Sequence, residues 1–91
     1  MPHLHAIVRG CVQGVGYRYF VFDVAQEAGL KGFVRNLPNG DVEVEAEGPE
    51  EKLQYLIKAL WRGPAFARVT DVLTELSPQE KGYKEFRIAF F

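Results

Sequence analysis

Cysteine is almost absent: Cys11 stands alone among 91 residues, so no disulfide can form within the chain. Histidine is nearly as scarce. His3 and His5 fall on one face of an expected strand, but no cysteine, carboxylate or third histidine is spaced beside them to complete a metal site. No apolar run approaches the roughly 20 residues of a membrane helix, and no segment has the pattern of a signal peptide. An excess of either charge is lacking too. Eleven basic and twelve acidic residues leave a formal net charge of -1, too little to draw in nucleic acid or an acidic membrane surface. Any anion binding must therefore be local, and the simplest expectation is a cytoplasmic chain needing no cofactor.

What is present is an ordinary globular composition, 47% hydrophobic and 25% charged, enough at this length for one core and not two. A single domain over residues 1–91 is expected. Residues 4–10 alternate Leu4, Ala6 and Val8 with His5, Ile7 and Arg9, the period of a strand with both faces partly covered. Tyr17, Phe20, Val21, Val24, Ala25 and Ala28 then form one stripe at helical spacing, and Gly29 ends it.

Residues 31–37 read as a second strand. Pro38-Asn39-Gly40 is turn chemistry, and residues 41–47 alternate Val42, Val44 and Ala46 with Asp41, Glu43, Glu45 and Glu47. That hairpin should set one face of its third strand in the core and the other in solvent. Pro49 suits the first position of a second helix running to about Trp61, with Leu53, Leu56, Ile57 and Leu60 as its stripe. Residues 68–76 and 84–91 are the remaining strands, the latter with Phe86, Ile88 and Phe90 alternating.

This order is β-α-β-β-α-β with an added C-terminal strand. It implies an α+β, ferredoxin-like sandwich: two helices on one face of a mainly antiparallel sheet, the other face exposed.

The stretch Gly10-Cys11-Val12-Gln13-Gly14-Val15-Gly16-Tyr17-Arg18 joins the first strand to the first helix. Its glycines let backbone N–H groups approach a ligand, and the helix N-terminus it feeds favours anions. Arg18 adds a planar fork of donors matched to phosphate or carboxylate. Glycines also serve tight turns without binding anything, so the composition leaves both readings open. Neither the P-loop nor the dinucleotide fingerprint is complete here, which argues for a small anion.

Two stretches resemble the signatures of the acylphosphatase family. One is Val8-Arg9-Gly10-Cys11-Val12-Gln13-Gly14-Val15-Gly16-Tyr17-Arg18, with Tyr17 where phenylalanine is commoner. The other is Gly32-Phe33-Val34-Arg35-Asn36, followed by Gly40, Val42 and Gly48. The resemblance implies metal-independent hydrolysis of the carboxyl–phosphate bond of acyl phosphates. It implies a phosphate cradled by Gln13, Gly14, Val15, Gly16, Tyr17 and Arg18, bound by the Arg18 side chain, with water positioned by Asn36. Inorganic phosphate or sulfate would compete, and a monomer is expected. Read from the residues alone, Asn36 before a Pro-Asn-Gly turn is better explained by a turn bond to its own backbone. Cys11 has no neighbouring base and is read as tolerated variation.

The competing class is a binding module without catalysis. Lys31-Gly32-Phe33-Val34 partly imitates the signature of a ferredoxin-like RNA-binding domain. It falls on the second strand instead of the third, the longer pattern is not completed, and the four acids beside it would repel phosphate. A ligand-sensing module of the same fold is a further alternative, since fold does not fix activity.

Overall fold

The computed structural model describes residues 1–90. Its elements are β1 (His3–Cys11), α1 (Tyr17–Glu27), β2 (Lys31–Asn36), β3 (Val42–Glu47), α2 (Glu50–Arg62), β4 (Arg68–Ser77) and β5 (Phe86–Ile88). The sheet order is β4-β1-β3-β2-β5, with every pairing antiparallel except β2 with β5. This is the expected ferredoxin-like arrangement with a fifth strand at one edge. Because β1 and β2 both run antiparallel to β3, they share a direction. Their C-terminal ends, Cys11 and Asn36, therefore lie at the same end of the sheet.

The helices are held there by their apolar stripes. Tyr17, Val21 and Ala25 of α1 and Leu53, Leu56, Ala59 and Leu60 of α2 are buried. They share one cluster with Leu4, Ala6, Val8, Val34, Val42, Val44 and Ala46 of the sheet, save Ala59. Each large aliphatic side chain so buried contributes about 1.5–3 kcal/mol, so neither helix is free to turn. The end of α1 closes with the Leu30 N–H donating to Ala25 O at 2.9 Å and the Gly29 N–H to Gln26 O at 3.1 Å, the double bond expected where glycine follows a helix.

Three sequence expectations shift at element ends. Pro49 is not the first helical residue but the cap before it, extended at ψ 142°, its carbonyl accepting from the Lys52 and Leu53 N–H groups. Leu37 leaves β2 to close the turn, its N–H donating to Asp41 O at 2.8 Å. The last strand shrinks to Phe86–Ile88: the Ala89 N–H still reaches Val34 O at 2.9 Å, but Phe90, past the end of the strand, is 81% exposed. Phe91, included in the expected strand, lies outside the described residues.

The largest correction concerns the sheet face opposite the helices, which is covered around Glu45 and Glu47 and exposed toward β4 at Leu73 and Glu75. Glu45 and Glu47 are buried because the segment after β4 folds over them. The Glu47 carboxylate accepts from the backbone N–H groups of Lys81, of Gly82 at 3.1 Å and of Tyr83 at 3.2 Å. His3 Nδ1 lies 2.7 Å from the same carboxylate and His3 Nε2 3.2 Å from Glu45. The Tyr83 hydroxyl donates to Glu45 at 2.6 Å, and Lys81 Nζ stands 3.2 Å away. Glu43 pairs with His5 at 2.8 Å and with Arg35 at 2.6 Å. Alternation along β3 identifies the acids as one face but carries no information about a segment more than thirty positions away.

Burial alone would raise the Glu47 pKa, but the N–H donors of Lys81, Tyr83 and Gly82 and the His3 ring outweigh it and hold the carboxyl below its ordinary range. A depressed native pKa gives stability that is complete above the unfolded value of about 4.3 and is lost as pH falls through the lower native value. Glu47→Gln should therefore cost roughly 2 kcal/mol at neutral pH, the scale of hydrogen bonds to a charged group, and flatten the acid limb. Urea melts from neutral to strongly acidic pH check this. Identical acid slopes for parent and variant would count against the assignment.

Candidate active site

The loop leaves β1 through a bulge. The register between β1 and β4 shifts between Arg9 and Gly10. Gly10 has φ 127°, and a Cβ there would lie 2.0 Å from the Arg68 carbonyl oxygen, so no side chain fits. Gly14 and Gly16 are also left-handed, at φ 75° and 78°, with open space where a Cβ would be. For these two it is the backbone conformation, not crowding, that favours glycine.

Gly16 is the N-cap of α1 and supplies no side-chain cap, and no acid stands in the first turn. The first bond onto the helix runs from the Phe20 N–H to Gly16 O at 3.0 Å. The amides ahead of it, from the glycine loop into the first turn, are thus left to a partner outside the helix, at the positive end of its dipole. Val15 packs against the core and Tyr17 is fully buried, which fixes the loop at two points along its length. The Tyr17 hydroxyl donates to Leu60 O at 2.7 Å, satisfying one of the carbonyls that end α2. Burial pushes that phenol well above its ordinary pKa, so it remains a donor.

Arg18 is half-buried. It makes no ion pair with any described carboxylate, and its guanidinium sits 5.3 Å from the centre of the Phe90 ring. Its charge is therefore not neutralised by those carboxylates. Asn36 pairs with Val42 across the sheet, which puts it on the same side as Val34, the side that carries the helices. Its Oδ1 is buried and finds no hydrogen-bond partner.

The turn reading of Asn36 fails on geometry. The side-chain bonds that shape the hairpin turn come from Asn39, whose Oδ1 accepts from the Asp41 N–H at 3.0 Å and whose Nδ2 donates to the Asp41 carboxylate at 3.1 Å. The loop and the hairpin meet through Gln13, whose Nε2 donates to Leu37 O and Asp41 O, each at 2.8 Å. Sequence reasoning placed Gln13 only as a loop amide. This side-chain role had no local signal, because its acceptors are backbone carbonyls.

The chain is similar to the acylphosphatase family model over residues 4–88. The chain belongs to the acylphosphatase family. It is 52% identical over 85 residues to an acylphosphatase from Deinococcus radiodurans, covering 93% of this chain and 97% of the relative. It is 49% identical over 88 residues to one from Thermus thermophilus, covering 97% and 99%. The crystal structure of acylphosphatase from Bacillus subtilis superposes with a TM-score of 0.97 at 42% identity, covering 99% of this chain and 100% of that one. Acylphosphatase function, and with it a place among the hydrolases, follows from this membership.

The RNA-binding alternative is correspondingly not favoured. Phe33, the aromatic of the imitating segment, is half-buried, with the Tyr83 ring edge-on at 6.0 Å, and the part of the face beside it is covered by the segment that bears Tyr83. On that face His5, Glu43 and Glu45 bring possible metal-ligating atoms within 4.8 Å of one another, carboxylates that strand pairing supplies and sequence spacing did not show. Arg35, Lys81 and Tyr83 already occupy those carboxylates. Cys11 is exposed at the end of β1.

The bond from Tyr17 to Leu60 predicts a stability effect separable from chemistry. Tyr17→Phe should cost about 1 kcal/mol, the usual value for a lost neutral hydrogen bond, while turnover stays near that of the parent. Denaturant melts and initial rates measured together check both halves.

Proposed function

We propose that this chain, acting as one domain over residues 1–91, hydrolyses the carboxyl–phosphate bond of acyl phosphates to a carboxylate and inorganic phosphate, with no metal in the reaction. The phosphoryl oxygens rest on the amides of Gln13, Gly14, Val15, Gly16, Tyr17 and Arg18, with the Arg18 guanidinium across them. Asn36 holds the attacking water in line. Water oxygen attacks phosphorus, the bond from phosphorus to the carboxyl oxygen breaks, and the carboxylate departs with the electron pair. The water's proton passes to a phosphoryl oxygen. A carboxylate is a weakly basic leaving group, so placement and charge stabilisation suffice and no strong protein base is required.

The observation that carries this reading is the buried Asn36 Oδ1 without a protein partner, at the same end of the sheet as a helix start whose amides are left uncapped. Buried acceptors in folded proteins almost always have a partner, and an acceptor at this place is what the O–H of an attacking water requires. Inorganic phosphate and sulfate compete as the anions that fit the same amides. The location we propose is the cytoplasm and the active species a monomer; no helix among the described residues is long and apolar enough to cross a membrane.

Arg18→Ala should lower the rate by roughly 10² to 10³, by analogy with the loss of an oxyanion donor, and weaken inhibition by inorganic phosphate. Asn36→Ala should remove most turnover while phosphate still inhibits. Phosphate inhibition of Arg18→Ala equal to that of the parent would overturn the assignment of Arg18.

Hydrolysis should also survive excess chelator, and Cys11→Ala should keep most activity. Activity lost to chelator and restored by a divalent ion would refute the metal-free chemistry.

A further inference from the structure

We propose that Gln13 is a positioning residue: its side-chain amide sets where Asn36 stands relative to the phosphate loop. The inference rests on the reading of Asn36 and the loop given above and adds the part that registers one against the other. The loop is exposed at Gly14 and Gly16 and follows β1, whereas Asn36 ends β2, and β3 lies between those two strands. The ladder of the sheet therefore registers them only indirectly. Among the described residues, the Gln13 side chain is the one hydrogen-bonded tie from residues 12–16 to the hairpin.

Both hydrogens of the Gln13 amide are used. They go to Leu37 O and Asp41 O, each at 2.8 Å, the residues that the hairpin itself joins by the Leu37 N–H to Asp41 O bond at 2.8 Å. Leu37 is the residue after Asn36, so a carbonyl held by the loop lies directly beside the backbone that carries the water-positioning amide. The arrangement needs two donors on one planar nitrogen at that reach. Glutamate presents only acceptors to two carbonyls, and an apolar side chain presents nothing. The loop's own hold on phosphate passes mainly through backbone amides, and those after Gln13 are set by α1, the buried Tyr17 and the partly buried Val15. The tie therefore acts on the alignment of water and phosphorus more than on phosphate binding, and misplacement of about 1 Å in such an alignment costs on the order of 100-fold.

Gln13→Met removes both donors at nearly constant side-chain volume. Its kcat should fall about 10- to 100-fold while the inhibition constant for inorganic phosphate stays within about threefold of the parent value, the split expected when binding is kept and transition-state placement is lost. In an Asn36→Ala background the same change should add no more than about threefold, because two residues that act through one function are not additive. Full additivity would overturn the proposal, and so would a parent-like kcat for Gln13→Met. If instead Asn36→Ala turns over like the parent, the function assigned to Asn36 fails, whatever Gln13→Met does. Circular dichroism and melts confirm that each variant is folded at the assay temperature. Should Gln13→Met not fold, the unmodified protein still decides: the two Gln13 side-chain amide protons should exchange with solvent much more slowly than those of a free glutamine, and free-amide exchange would sink the idea.

Discussion

The amides ahead of the first hydrogen bond of α1 are the constraint on which the rest of the molecule depends. A helix start leaves donors that it cannot satisfy itself, and here the capping position is Gly16, which has no side chain to offer, and the first turn holds no acid. A run of N–H groups and the positive end of the helix dipole are thereby presented together, beside an arginine that no described carboxylate neutralises. Such an arrangement favours an anion over any uncharged ligand.

Presenting donors is useful only if they do not move, and the core supplies that rigidity. Tyr17 is the first residue of α1 and is fully buried, so the helix start is clamped by the same packing that holds the helices to the sheet. Its hydroxyl reaches across to the end of α2 at Leu60, which links the two helices at the end where the site lies. Gly10 allows β4 to press against the strand just before the loop, at a separation that any side chain would block. The direction of the loop is thus set on the strand side and on the helix side by contacts that tolerate little change in volume.

The polar face of the sheet has a different physical basis. Glu43, Glu45 and Glu47 stand in a row on β3, an arrangement of like charges that would repel if left to water. They are instead covered by His3, His5, Arg35, Lys81 and Tyr83, and the backbone after β4 donates three N–H groups to Glu47. This folds the segment before β5 over the sheet. β5 then pairs with β2 on the far edge from β4. The route that brings Phe90 beneath Arg18 therefore begins with a buried carboxylate.

Local periodicity was enough to read both helices, four of the strands to within a residue or two at each end, and the loop that opens α1. Periodicity reports which faces are buried, and the positions of Val21 and Ala25 or of Leu4, Ala6 and Val8 depend only on neighbours along the same element. The motif likewise marked Arg18 and Asn36, because spacing in the chain was all the resemblance required. What only the tertiary structure decided are the relations between segments distant in sequence. These are that Gln13 reaches the hairpin, that the acids of β3 lie under residues 81–83, and that Phe90 leaves the sheet for the Arg18 guanidinium. Each depends on a partner many positions away, usually a backbone carbonyl or amide that every residue carries alike. Such a partner leaves no signature in the sequence and appears only when the chain has folded.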